Sequence, residues 1–294
     1  VYNVSLTVTN VLGCSHTKVS STTITVLEAP TAQMIPGDTA NCLPFTVDFE
    51  SSSTAGDAGM ISWEWNFGDG STDIGTNPIA HTFTDSGSYV VELIVTDANN
   101  CKDTARQTVT VYPLPAPDFF SVRTIYCPNE LVQFVEQSTG NAPIISWNWN
   151  FGDGNTSAIQ APSHVYSNNG LYDVELAIED QNGCRDTLVR SQYIEITTPA
   201  AAFTSDVVAL CPGDQVQFTD TSVPDTSITS WQWDFGDGGS STLQHPSHIY
   251  TTDGQFTVSL IITNVLGCTD TIIQVNYIAV SYTHLRAHET SNHR

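Results

Sequence analysis

A chain of 294 residues with 31 Asp and Glu against 8 Lys and Arg carries a formal charge of −23, so it lacks the cations that a nucleic-acid partner requires. Only 13% of its residues are charged, and Thr, Ser, Asn and β-branched residues displace the Glu, Lys, Leu and Ala mixture of helical proteins, which points to an all-β fold. No run approaches the roughly eighteen consecutive apolar residues that cross a bilayer, so no membrane span is expected.

In chain order, residues 1–27 open on Val1-Tyr-Asn-Val-Ser-Leu-Thr-Val-Thr-Asn10, where apolar and polar residues alternate with the period of a strand. This segment is expected to be the closing strand pair of a repeat whose first part lies upstream. Val4, Leu6 and Val8 would then lack an opposing sheet. Full repeats follow at 28–113, 114–197 and 198–280.

Each full repeat contains the string Trp-x-Trp-x-Phe-Gly-Asp-Gly. It is formed by Trp63, Trp65, Phe67, Gly68, Asp69 and Gly70, by Trp147, Trp149, Phe151, Gly152, Asp153 and Gly154, and by Trp231, Trp233, Phe235, Gly236, Asp237 and Gly238. The strings begin 84 positions apart, at 63, 147 and 231, and hold all 6 tryptophans. Alternation puts the three aromatics of each string on one face of a strand, where they supply a small core with large apolar area. Gly-Asp-Gly then turns the chain, glycine taking positive φ and the aspartate accepting backbone N–H groups within the turn.

Next come His81-Thr-Phe83, His164-Val-Tyr166 and His248-Ile-Tyr250, whose histidines read as hydrogen-bonded structural groups and not as metal ligands. Alternating blocks that start at Gly87, Gly170 and Gly254 supply further strands. Several short strands in about eighty residues, with Gly, Asn, Asp and Pro between them, imply a seven-stranded β-sandwich. Two departures stand out. Tyr2, Tyr89 and Tyr172 occupy a tyrosine-corner position that the third full repeat fills with Phe256. Pro78 precedes His81 by one position more than Pro162 precedes His164 or Pro246 precedes His248, so the first connection is expected to bulge.

After Val280 the pattern stops. Val280-Ser-Tyr-Thr-His-Leu-Arg-Ala-His-Glu-Thr290 resembles the translation of a common transposase sequencing adapter, so 281–294 is expected to be a non-native tail. His288 and His293 stand five apart instead of four, and would not share a helix face as zinc-peptidase ligands do.

By the Trp-x-Phe-Gly-Asp-Gly string, the His-x-aromatic triplet and the Gly-x-Tyr-x-Val-x-Leu strand, the repeats resemble the polycystic-kidney-disease (PKD) domain family. The resemblance implies tandem immunoglobulin-like β-sandwiches with extracellular, non-catalytic roles. Gly183-Cys-Arg-Asp-Thr187 and Gly267-Cys-Thr-Asp-Thr271 are similar to blocks in tandem arrays of large surface or secreted proteins of gliding gram-negative bacteria.

No Gly-x-Ser-x-Gly, His-Glu-x-x-His or Gly-x-Gly-x-x-Gly motif occurs within 1–280, so no catalytic residue is assigned. No cofactor is expected. Calcium is the one ion that the acidity and the resemblance to PKD domains of secreted peptidases admit, although no EF-hand loop is present. Asp103-Thr104, Asp186-Thr187 and Asp270-Thr271 resemble a short bacterial O-glycosylation pattern and suit a strand start equally well.

Seven cysteines suit an oxidising compartment. Pairing within repeats would join Cys42 to Cys101, Cys127 to Cys184 and Cys211 to Cys268, leaving Cys14 alone. In an ideal immunoglobulin-like order those positions lie at opposite ends of a sandwich, roughly 25–30 Å apart, well beyond disulfide reach. Pairing between repeats would instead join Cys42 to Cys184 and Cys127 to Cys268, leaving Cys14, Cys101 and Cys211. A displaced first strand would restore the first scheme, so both stay open. The expected function is a rigid extracellular or cell-surface spacer with short proline-containing joins such as Tyr112-Pro-Leu-Pro-Ala-Pro117, presenting a surface to a protein or carbohydrate ligand. The alternative is an accessory, substrate-targeting region of a secreted hydrolase whose catalytic domain lies outside these residues.

Overall fold

The period-two alternation of each full repeat folds as two sheets packed face to face, in a computed structural model that describes residues 1–75, 78–223 and 228–282. In the third repeat a five-stranded sheet runs in the order Ala209–Leu210, Thr269–Val280, Gly254–Asn264, Ile228–Asp234, Ser240–Ser241. The opposing sheet runs Phe203–Ser205, Gln215–Asp220, Ser247–Ile249. The second repeat has the same two sheets, the larger ordered Ile125–Tyr126, Arg185–Ile196, Gly170–Asp180, Ile144–Asn150, Thr156–Ser157. In the first repeat the larger sheet runs Ala40–Cys42, Lys102–Tyr112, Gly87–Asp97, Met60–Asn66, Thr72–Ile74.

The first strand of each repeat is split between sheets. Phe203–Ser205 pairs antiparallel with Gln215–Asp220, whereas Ala209 and Leu210 pair parallel with Ala279 and Val280 at the end of the last strand. With the split strand counted once, the described residues of each repeat form seven strands in an immunoglobulin-like order.

The aromatic alternation fills the space between the sheets. Trp233 and Phe235 are buried, and Phe203, Phe218, Tyr250, Leu260 and Ile278 close around them. Phe203 meets the Trp233 ring edge-on at 5.1 Å, a favoured aromatic geometry. Trp231, one alternation earlier, is only half-buried. A buried indole N–H needs an acceptor. Trp149 Nε1 donates to the Ile159 carbonyl at 3.0 Å and Trp233 Nε1 to the Leu243 carbonyl at 2.9 Å. Trp65 Nε1 has no partner among the described residues. Its repeat is the one with the extra position before His81. The strand Ile79–Phe83 keeps an unbroken register against Phe45–Phe49, so the extra residue does not bulge the ladder itself. The connection ahead of it includes Thr76 and Asn77, which lie outside the described residues.

Two tyrosine corners form, Tyr89 Oη donating to the Asp85 carbonyl and Tyr172 Oη to the Asn168 carbonyl, each at 2.8 Å. Phe256 has no hydroxyl to do so, and stacks on Tyr250 at 4.5 Å. A second hydroxyl varies in the opposite direction. Tyr166 and Tyr250 each donate to the carbonyl of the turn phenylalanine, Phe151 or Phe235, at 3.0 Å, where the first repeat has Phe83.

The leading strands Tyr2–Thr9 and Ser15–Ile24 form a two-stranded antiparallel ribbon in which every residue is exposed, Val4, Leu6 and Val8 included. Of the tail, 283–294 lies outside the described residues. By contacts the chain divides into two compact units, 1–116 with 140–145 and 179–186, and 117–139 with 146–178 and the remainder from 187.

Trp233→Ala is expected to destabilise the third repeat by about 3–5 kcal/mol, the range for emptying a buried aromatic site. Hydrogen exchange will then rise in Gly254–Val280 while the amides of Gly87–Tyr112 keep their protection. Amides of Tyr2–Ile24, with nothing packed on either face, should exchange fastest in both proteins.

Candidate functional site

The most elaborated polar cluster in each repeat is built on the Gly-Asp-Gly turn. Asn66, Asn150 and Asp234 each accept an amide two residues on through Oδ1, from Gly68, Gly152 and Gly236 at 3.0, 3.0 and 2.9 Å. A second such turn follows at once, Oδ1 of Asp69, Asp153 and Asp237 accepting the amides of Ser71, Asn155 and Gly239. The glycine between them has φ of +80°, +82° or +83°, and a Cβ on Gly236 would stand 2.3 Å from the Thr257 carbonyl oxygen. Backbone conformation and space both demand glycine there.

The other aspartate oxygen reaches across to the opposing sheet. Oδ2 of Asp69, Asp153 and Asp237 lies 2.7, 2.7 and 2.8 Å from Nε2 of His81, His164 and His248. Each imidazole also stacks on the turn phenylalanine, with ring centroids 3.9, 4.2 and 4.1 Å apart at Phe67, Phe151 and Phe235. Two residue types that read separately from the sequence, a turn-capping aspartate and a structural histidine, thus form one unit that ties a strand end of the larger sheet to a strand of the smaller one.

Burial works against ionisation of Asp69, yet hydrogen bonds from the Ser71 hydroxyl and amide and from His81 outweigh it and hold the carboxyl at about 2. Burial likewise opposes ionisation at Asp153 and Asp237. Bonds from His164 and Asn155, and from His248 and Gly239, hold both below the ordinary carboxylate range.

Ser71, His81 and Asp69 meet in one place, but their connectivity is not that of a nucleophilic triad. There the imidazole takes the hydroxyl proton with one nitrogen while the carboxylate orients the other. Here a single nitrogen, Nε2, faces the carboxylate at 2.7 Å, and the Ser71 hydroxyl, at 3.5 Å from that same nitrogen, donates to the carboxylate at Oδ1. Asn155 and Gly239 occupy the serine position in the other repeats. The cluster locks a turn. Among the described residues no three His, Cys, Asp or Glu side chains converge as metal ligands, and no helix is long and apolar enough to cross a membrane. Asp103 and Asp270, from the short Asp-Thr pattern, accept the amides of Ala32 and Ala201 at 2.8 and 2.7 Å, pinning the start of a repeat to its last strand.

Disulfides join Cys42 to Cys184 and Cys127 to Cys268, and Cys14, Cys101 and Cys211 are free. The between-repeat scheme is therefore the one present. Its physical cause is the split first strand. Cys211 follows Leu210, which pairs with Val280 at the far end of a 12-residue strand, and Cys268 precedes the start of that strand. The two lie roughly 35–40 Å apart along the sheet at the usual rise, against a reach of about 7 Å between Cα atoms. Sequence reading missed one set of residues. Asn10, Asp97, Asp180 and Asn264 each accept through Oδ1 the amide of the cysteine four residues on, shaping the loop that presents it. The signal was the recurring Asx-x-x-Gly-Cys spacing, with Asn100 in place of glycine.

The profile of the PKD domain matches residues 27–111, 113–196 and 197–280. The chain belongs to the PKD domain family. Among curated proteins it is 26% identical over 139 residues to the pre-pro-metalloprotease PrtV of Vibrio cholerae, a match covering 47% of this chain and 15% of that protein. It is 47% identical over 57 residues to collagenase ColA of Bacillus cereus, covering 19% of this chain and 6% of that protein. Among solved structures, the PKD1 domain of Vibrio anguillarum Epp is 34% identical with a TM-score of 0.26, covering 29% of this chain and 98% of that domain. The chain thus spans a small fraction of the curated relatives it matches.

Because the Asp69 carboxyl is depressed from 3.8 to about 2, its ionised form stabilises the fold above pH ~4, and that contribution is lost as pH falls through about 2. Urea titrations between pH 5 and 2 should show the first repeat weakening steeply below pH ~4. In Asp69→Asn that part of the slope disappears, and stability at pH 7 is lower.

Proposed function

We propose that the chain is a non-catalytic array of accessory PKD repeats within a larger extracellular or cell-surface protein, in which it works as a stiff spacer carrying a surface for a protein or carbohydrate ligand. The domains of that array are the repeats 28–113, 114–197 and 198–280. The supporting observation is the pair of between-repeat disulfides. Each ties one repeat to its neighbour at a second point besides the peptide connection. A single short join leaves a hinge, whereas two attachments remove most of its rotations. Disulfides also suit an oxidising compartment outside the cytoplasm.

A second reading, favoured by relatives named as a metalloprotease and a collagenase, makes the repeats a substrate-targeting region of a hydrolase. The two readings part on binding. Co-sedimentation of the chain with fibrillar collagen supports the second, and its absence, together with stiffness in solution, supports the first. For stiffness, small-angle X-ray scattering should give a narrow distribution of maximum dimensions for the oxidised chain. The distribution should be distinctly broader for the double variant Cys42→Ser, Cys127→Ser at unchanged secondary structure. Identical profiles for the two proteins would argue against the spacer.

A further inference from the structure

The free cysteine Cys211 is held in the same local structure as the disulfide-bonded Cys127. In each, the cysteine carbonyl accepts the amide of the acidic residue three positions on, Glu130 or Asp214, at 3.2 and 3.1 Å. The side chain of that residue accepts the cysteine amide in return, at 3.2 Å in both. The amide between them, of Asn129 or Gly213, bonds the carbonyl of Tyr166 or Tyr250 at 2.8 Å. The chain also leaves both repeats at the same point. Thr197 donates to the Tyr126 carbonyl and Ser281 to the Leu210 carbonyl, each at 3.1 Å.

What differs is the occupant. Against Cys127 stands the loop Asn264-Val-Leu-Gly-Cys268, and its cysteine is buried. Beside Cys211 there is instead an open cavity of about 610 Å³, lined by Val207, Ala209, Leu210, Cys211, Asp214 and Gln215. The same loop sequence occurs once more in the chain, as Asn10-Val-Leu-Gly-Cys14. It has the same Asn Oδ1 bonds to the third and fifth amides of the loop, at 3.0 Å each. There, without a partner cysteine, Leu12 and Cys14 are exposed, where Leu266 is half-buried and Cys268 buried, while Val11 and Val265 are exposed in both loops.

We propose that the cavity at Cys211 is a docking site for an Asx-x-x-Gly-Cys hairpin loop of a further PKD repeat, secured by a disulfide to Cys211. The loop covers the exposed Val207 beside the already buried Leu210, and the loop cysteine meets Cys211 as Cys268 meets Cys127. The bond forms at the expense of a low-molecular-weight disulfide such as oxidised glutathione. The Cys211 thiolate attacks its sulfur–sulfur bond and releases one reduced thiol. The loop thiolate then displaces the second, so that two electrons and two protons leave the cysteine pair. The proposal rests on the same between-repeat connections as the spacer reading. A failure of stiffness in scattering, however, leaves the cysteine map unchanged, so the two can fail separately.

The test appends a second copy of residues 198–280 after Val280, carrying Thr269→Ser to mark its loop peptide, and maps peptides without reduction after equilibration with reduced and oxidised glutathione. The expected product links Cys211 to the marked loop cysteine while Cys127–Cys268 persists. Recovery of Cys211 as a glutathione adduct beside a free marked cysteine overturns the proposal. A second measurement guards against misfolding of the added copy. The unaltered chain, oxidised at high concentration, should form intermolecular links from Cys211 to the loop cysteines Cys14 or Cys101. A predominance of Cys211–Cys211 links overturns the site.

Discussion

The first strand of each repeat starts in one sheet and finishes in the other, and this crossing governs what stands at each end of the sandwich. Once Ala209 and Leu210 pair parallel with Ala279 and Val280, the residue that follows them lies where the chain leaves the repeat. A cysteine at that point is far from the hairpin loop of its own last two strands, because a sheet of extended strands cannot fold back on itself. It is near whatever comes next in the chain. The between-repeat disulfides, the reciprocal turn that holds Cys127 and Cys211, and the open cavity beside Cys211 all follow from that single placement.

Much of this was legible in the residues. Period-two alternation exposes one face and buries the other, so Trp147, Trp149 and Phe151 could be placed on one strand face from spacing alone; Trp149 and Phe151 are buried there and Trp147 only half-buried. The glycine after the turn phenylalanine could be read for the same kind of reason, since few residues tolerate positive φ. The sheet change of the first strand was not legible. The segment between Ser205 and Ala209 has no periodicity that says where pairing moves from one partner to the other, so two disulfide schemes survived until the strand partners were known. The aspartate–histidine bond was hidden for a different reason. Asp153 and His164 are 11 positions apart on strands of different sheets, and local pattern carries no information on such a contact.

Variation among the repeats separates what the fold requires from what it merely uses. The first repeat keeps the tyrosine corner at Tyr89 and has Phe83 where the others bond through Tyr166 and Tyr250. The third keeps Tyr250 and loses the corner at Phe256. Each hydroxyl contributes a net of about 1 kcal/mol, the usual worth of one hydrogen bond exchanged against water. Burial of an indole is worth several times more, and its loss leaves a cavity that neighbours cannot fill. It follows that the hydroxyls drift from repeat to repeat while Trp65, Trp149 and Trp233 and the glycines at 68, 152 and 236 do not.

The same comparison of magnitudes bears on what the disulfides are for. Closing a loop of 142 or 141 positions in a disordered chain removes roughly 5 kcal/mol of conformational entropy in the chain-entropy picture. That figure presumes that everything between the cysteines is unfolded. If each repeat keeps its own core when the bond is cut, the freedom regained is that of a joint, a few soft dihedrals in a connection such as Tyr112 to Pro117, and not that of a coil. The bond then adds little to the stability of either sandwich. It acts instead on the relative motion of folded bodies. A cysteine placed for intradomain stability would sit between the sheets, beside the tryptophan. These cysteines sit at the poles, where they constrain neighbours.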